Sequence, residues 1–259
     1  MTFKKIMLIF CIGLPVCIAA RILQITLTID YSNGFYYNEQ KTLGNIMLFV
    51  IILVCVGLGF AAYKAYKTPE KPPETNPLLS VSSAVAALAL MLEFFGEGIP
   101  IALLTWQAIF IKLMTAVCVF YFLILTLQGH LGIKVPSMFH IIPCVYAICR
   151  TVFTFIGISS LAVISDNILL VAAYCALMVF FINYGKLYNN LDTELNFRKI
   201  LASGLTASLL CLTQSVSYIL INVFGSKPYL HTDLSAMLSL LALGAFSIIF
   251  TVSHFWKTA

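Results

Sequence analysis

Apolar residues run along this chain in eight long blocks, divided only by short stretches rich in charges, proline, glycine and serine. A helix needs roughly 20 mostly apolar residues to cross about 30 Å of hydrocarbon at 1.5 Å per residue. Eight segments meet that length, at about 6–28, 43–66, 78–95, 101–126, 139–164, 167–188, 199–224 and 232–255. The pattern predicts an all-α fold, a polytopic membrane bundle of about eight transmembrane helices. Residues 1–259 then form a single integral membrane domain with no room for a separate soluble one.

Composition agrees with that reading. Charged residues make up 10% of the chain and hydrophobic ones 61%, with a mean hydropathy of +1.00, where a soluble domain carries about 25% charged residues. The lipid bilayer is therefore the first partner expected. Lys4 and Lys5 followed by apolar residues imitate a secretory signal, with residues 18–20 as a poor cleavage site. The apolar run resumes from Ile22 to Ile29, so the segment reads as a retained first helix. Val16 also stands where a lipoprotein signal ending at Cys17 would want a small residue.

Charge sets the expected orientation. With the amino terminus inside, Lys4, Lys5, Lys64, Lys67, Lys71, Lys134, Lys186, Arg198, Lys199 and Lys257 fall on the inner side, and only Lys41 and Lys227 outside. Cytoplasmic loops carry the excess of Lys and Arg, so both termini are expected in the cytoplasm. The net charge of +5 is then a consequence of orientation, and no nucleic acid is implied. Residues 64–76 (KAYKTPEKPPETN) read as an extended inner connector. Residues 31–37 (YSNGFYY) read as an outer turn with interfacial aromatics, and Tyr63, Tyr66, Tyr184, Tyr188 and Trp256 as anchors at the inner interface.

A parallel 4+4 repeat, with units 1–128 and 129–259, is a further expectation. Asn45 opens the second span and Asn167 the sixth, and in each a lysine follows 19 residues later, Lys64 and Lys186. Pro15 and Arg21 in the first span correspond to Pro143 and Arg150 in the fifth, and Glu93 in the third corresponds to Gln214 in the seventh. Four spans per unit would relate the two by an axis along the membrane normal.

Four charged residues interrupt the apolar runs: Arg21, Glu93, Lys112 and Arg150. A charge at a helix centre costs roughly 2.5–3.5 kcal/mol on insertion scales and usually faces the bundle interior. Helical spacing puts Arg21, Gln24 and Thr28 on one stripe, Thr105, Lys112 and Thr115 on another, and Arg150, Thr154 and Gly157 on a third. Gln214 and Ser217 form a polar edge on the seventh span, and Ser82, Ala86, Ala89, Glu93 and Gly96 a small-residue face on the third. Three of the four charges fall in the outer half, where they could line an outward-facing polar cavity. Three bases against one acid suit a small anionic ligand, and Arg21, Glu93, Lys112, Arg150 and Gln214 are the candidate ligand-binding residues. The alternative is structural: snorkelling of Arg21 and Lys112 to headgroups, and pairing of Glu93 with one of the bases.

No motif for catalysis is visible. HExxH, GxSxG, GxxxxGK[ST] and an intramembrane aspartate pair are all absent from the sequence. The four histidines, His130, His140, His231 and His254, are scattered over span ends and loops, and the eight cysteines lie in apolar runs as packing residues. No catalytic residue, metal ligand or cofactor is therefore expected, and the chain is not read as an enzyme. Arg21, Gln24 and the stretch 29–35 (IDYSNGF), with 142–150 (IPCVYAICR) and Phe180-Phe181 further on, resemble uncharacterised multi-pass membrane proteins of anaerobic Gram-positive bacteria. That resemblance covers most of the chain and implies a bacterial plasma-membrane location but no activity. Two functions are expected: binding or permeation of a small anion, or a membrane-embedded sensor or accessory subunit that meets a membrane protein partner through the third span's small-residue face.

Overall fold

The computed structural model describes residues 3–30, 36–65, 77–96, 105–132, 135–161, 164–189, 191, 193–224 and 233–255. The described residues form eight α-helices: α1 (Phe3–Thr28), α2 (Lys41–Ala65), α3 (Pro77–Phe95), α4 (Thr105–Leu131), α5 (Ile142–Leu161), α6 (Ile164–Tyr188), α7 (Thr193–Phe224) and α8 (Leu234–Phe255). All eight are long and apolar enough to cross a membrane, so the chain is a multi-pass membrane protein with an all-α bundle. Successive helices reverse direction, which puts Phe3 and Phe255 in stacking contact at 6.3 Å. That end is called the termini end below.

Local chemistry explains most helix boundaries. Pro143 sits in the first turn of α5, where a missing N–H costs nothing, so the fifth span starts there after a tight 3-10 turn at Ser137–Ile141. The sequence had suggested a start near 139. Gly132, at φ 68°, ends α4, its N–H donating to the Gln128 carbonyl at 3.1 Å. Helix α4 thus ends five residues later than hydropathy suggests, and α7 begins six residues earlier. Residues 193–198 (TELNFR) are too polar for a hydropathy window, yet Asn196 and Phe197 are buried and Asn196 Nδ2 donates to the Asn183 carbonyl at 3.0 Å. Pro15, inside α1, removes one internal hydrogen bond without ending the helix.

Helix neighbours define the architecture. Helices α3, α4, α5, α6, α7 and α8 each contact the next, and α8 returns to α3, so these six close a ring. Helices α1 and α2 pack on each other and both on the outside of α7. Contacts between helices that are not neighbours cross the ring. Phe122 of α4, Phe181 of α6 and Phe246 of α8 meet with centroids 5.2–6.4 Å apart. Together with Phe180, Tyr184 and Phe250 they fill the termini half of the interior. Lipid-like side chains such as Leu8, Phe49, Val56, Leu88, Phe120 and Phe155 cover the outside.

Small residues let the inner helices approach. On α3, Ser82, Ala86, Ala89 and Glu93 are all buried, and α3 packs against both α4 and α8. A Cβ on Gly129 of α4 would lie 2.5 Å from the Ser80 Cβ, and one on Gly244 of α8 would lie 2.7 Å from the Cys211 Cβ. In lipid, helix association depends on such close packing rather than on hydrophobic expulsion. The face offered by the sequence as a partner interface is therefore already occupied within the chain.

Candidate functional site

Two polar clusters occupy the half of the bundle away from the termini end. The first is centred on Arg21, which is completely buried. Its Nη1 donates to Gln24 Oε1 at 2.6 Å, and its Nε donates to Gln214 Oε1 on α7 at 3.1 Å. Gln24 in turn donates through Nε2 to the Tyr36 hydroxyl at 2.7 Å and to the Gly44 carbonyl at 2.9 Å. Thr28, the third member of that stripe, turns its hydroxyl onto the Gln24 carbonyl, and Ser217 donates to the Ile18 carbonyl at 3.3 Å. The network ties α1 to both α2 and α7.

The chain between α1 and α2 is shaped to supply Tyr36. Ile29 and Tyr36 form an antiparallel bridge and the Tyr37 N–H donates to the Thr28 carbonyl at 2.9 Å. Gly44 is needed beside it, since a Cβ there would lie 2.5 Å from the Tyr36 ring. Tyr36 is thus part of a buried network rather than a simple interfacial anchor, while residues 31–35 of the expected turn lie outside the described residues.

The second cluster lies inside the six-helix ring. Arg150 of α5 forms a salt bridge through Nη2 with Glu93 Oε1 of α3, and both are buried, at 4% and 6% exposure. Tyr146, one turn before Arg150, donates its hydroxyl to Glu93 Oε2 at 3.0 Å. Across the ring, the Arg150 guanidinium lies 5.7 Å from the centroid of Tyr174 on α6, and Ser239 of α8 stands beside the Tyr146 hydroxyl. Four of the six ring helices meet here. One donor is left over: Arg150 Nε has no hydrogen-bond partner among the described residues.

Most of the sequence-derived candidates are brought together, but as two pairs rather than one group. Arg21 meets Gln214 and Arg150 meets Glu93. Lys112 joins neither; it is half-buried on α4, with no ion pair or hydrogen bond to a described residue. The expected open outer cavity is also corrected, because Arg21, Gln24, Gln214, Glu93 and Arg150 are all buried against protein. Thr154 and Thr115 are buried as their stripes suggested, whereas the side chains of Thr105 and Gly157 lie outside what is described. Tyr146 was detectable, since it lies four residues from Arg150 and so on the same helix face. Tyr174 and Ser239 had no signal, being ordinary residues on other helices.

Near the termini end a third buried cluster corrects one more expectation. Tyr121 bonds His140 Nδ1 at 2.8 Å and donates to the Tyr184 hydroxyl at 3.1 Å, while His140 stacks on Tyr188 at 3.9 Å. Tyr184 and His140 are fully enclosed, so Tyr184 is not an interface anchor, and His140 lies at the start of the fifth span, in the turn leading into α5. Tyr188 is partly buried against them. Among the described residues, no three His, Cys, Asp or Glu side chains converge in a way that could hold a metal ion. Compared with family models, curated proteins and solved structures, the chain matches none.

Proposed function

We propose that this protein binds a small anionic molecule inside the six-helix ring and moves it across the bacterial plasma membrane, with both termini cytoplasmic. The observation that carries the reading is Arg150: a buried guanidinium with one partly satisfied face, its Nη2 on Glu93 and its Nε without a partner. A planar guanidinium presents paired N–H donors that match a carboxylate or phosphate. Tyr146 and Tyr174 supply polar and aromatic walls beside it. The aromatic fill of Phe122, Phe181 and Phe246 lies between that site and the termini end, and in this reading it serves as the closed gate.

In this reading Arg21, Gln24 and Gln214 fasten α1 and α2 to the ring. A sensor or accessory subunit would need the α3 small-residue face for its partner, and α4 and α8 cover that face.

The test is equilibrium binding to the protein in nanodiscs, with radiolabelled acetate, lactate and inorganic phosphate as probes. At least one probe should bind saturably, and Arg150→Gln should weaken it by about 10- to 100-fold, the worth of a charge-assisted hydrogen bond. Absence of saturable binding by all three, or equal binding by Arg150→Gln, would overturn the reading.

A further inference from the structure

Resting on the anion site at Arg150, we infer that Glu93 carries a proton with the anion, so that one monoanion and one proton bind and cross together. The geometry of the guanidinium points to it. Glu93 engages Nη2 alone, and the adjacent Nε is buried and unpartnered. Nε and Nη2 form the side-on fork that a carboxylate or phosphate takes in a bidentate fashion. Glu93 therefore holds half of a two-point site, and the ligand needs both halves.

Charge balance decides what must happen to Glu93 when the ligand arrives. Among the described residues, the partners of Glu93 are Arg150 and Tyr146, and those of Arg150 are Glu93 and Tyr174. With Glu93 ionised, an added monoanion would leave two negative charges against one positive in an enclosed interior. Burying an unbalanced charge is strongly unfavourable. A proton from the aqueous side onto a Glu93 carboxylate oxygen restores neutrality: the Arg150–Glu93 ion pair breaks, Nη2 and Nε donate to the anion, and Glu93 becomes a neutral acid. Tyr146 accommodates both states, because its hydroxyl can donate to a carboxylate or accept from a carboxylic acid. Release reverses each step, returning the proton to water and Glu93 to Arg150.

The groups around Glu93 are compatible with this exchange. Helix α5 presents Arg150 and Tyr146, α6 presents Tyr174, and α4 presents Cys118 near Tyr146. Just before α8, Asp233 lies near Gly96, one turn beyond Glu93, and accepts a hydrogen bond from Ser235. Of these groups, Arg150 is the only cation.

The experiment measures lactate affinity in nanodiscs between about pH 6 and 8, where a monocarboxylate stays ionised, together with proton uptake on binding in weak buffer with a pH indicator. One proton per anion makes the dissociation constant rise about tenfold per pH unit. Glu93→Gln should abolish both the slope and the proton uptake. A wild-type affinity that is flat across this range, with no proton taken up, overturns proton coupling while leaving the anion site standing. A Glu93→Gln protein that keeps the slope overturns Glu93 as the carrier. If that variant does not fold, the wild-type proton count decides alone. No saturable lactate binding at any pH removes the coupling together with the site for this class of anion.

Discussion

Arg21 and Arg150 are both enclosed guanidiniums in the same half of the bundle, and each reaches a polar residue on a helix of the other half-chain. Arg21 meets Gln214 across 193 residues of sequence, and Arg150 meets Glu93. The difference lies in the partners. Arg21 bonds the carboxamides of Gln24 and Gln214, and Gln24 passes the network on to Tyr36 and the α2 backbone. Arg150 holds one carboxylate and keeps one N–H unpartnered. A carboxamide cannot change its charge and a carboxylate can, so the Gln24 and Gln214 contacts suit a permanent fastening and the Glu93 contact a site that exchanges partners.

Breaking the two arrangements should separate them. The largest effect is expected from Glu93→Ala, which strands a buried Arg150: unfolding in detergent should show a loss of about 3–5 kcal/mol. The double variant Glu93→Leu/Arg150→Met should recover most of it, and a double variant as unstable as the single one would refute the ion-pair explanation. At the other arginine, Gln214→Ala removes one hydrogen bond to a charged group, and the same unfolding assay should show about 1.5–3 kcal/mol. Gln214→Glu sharpens the comparison by placing on α7 an acid against Arg21, as Glu93 stands on α3 against Arg150. It should stay folded at neutral pH and become more sensitive to acid than the wild type, as judged by thermal denaturation.

Gly44→Ala should cost about 1–3 kcal/mol by overpacking against Tyr36, with its effect confined to the Arg21 network; unchanged stability would mean Tyr36 moves freely. Tyr146→Phe is the mildest change. It removes one hydrogen bond to Glu93, and its cost is expected at about 0.5–1.5 kcal/mol, read in the same unfolding assay. A larger loss would mean that Tyr146 holds more than Glu93.

Much of the fold was legible because hydropathy is a local property summed over a span. The eight predicted segments coincide with eight helices, and the errors are at ends where helix formation continues beyond the apolar run, as at Asn196 and Phe197 of α7. Helical spacing likewise exposed the Arg21–Gln24–Thr28 stripe, all of it buried. Spacing within one helix says nothing about which other helix is opposite. The candidates therefore read as one group lining an open cavity, whereas they form two closed pairs and leave Lys112 apart.

The aromatic residues show the same limit from another side. Tyr63 is exposed near the end of α2, as an interfacial residue would be, whereas Tyr184, placed similarly along α6, is enclosed with Tyr121 and His140. Sequence position alone gives both the same role; side chains reaching Tyr184 from α4, α8 and the turn before α5 distinguish them.

By itself the sequence determined that this is a membrane protein of eight helices, since a span's length and apolarity are set residue by residue against the thickness of the bilayer. It also determined which side chains are too costly to leave in lipid. Only the tertiary structure decided that Arg150 faces Glu93 and Arg21 faces Gln214. Those pairings depend on close packing of small residues between helices far apart in the chain, and in lipid, where all apolar faces are nearly equivalent, hydropathy carries no record of that choice.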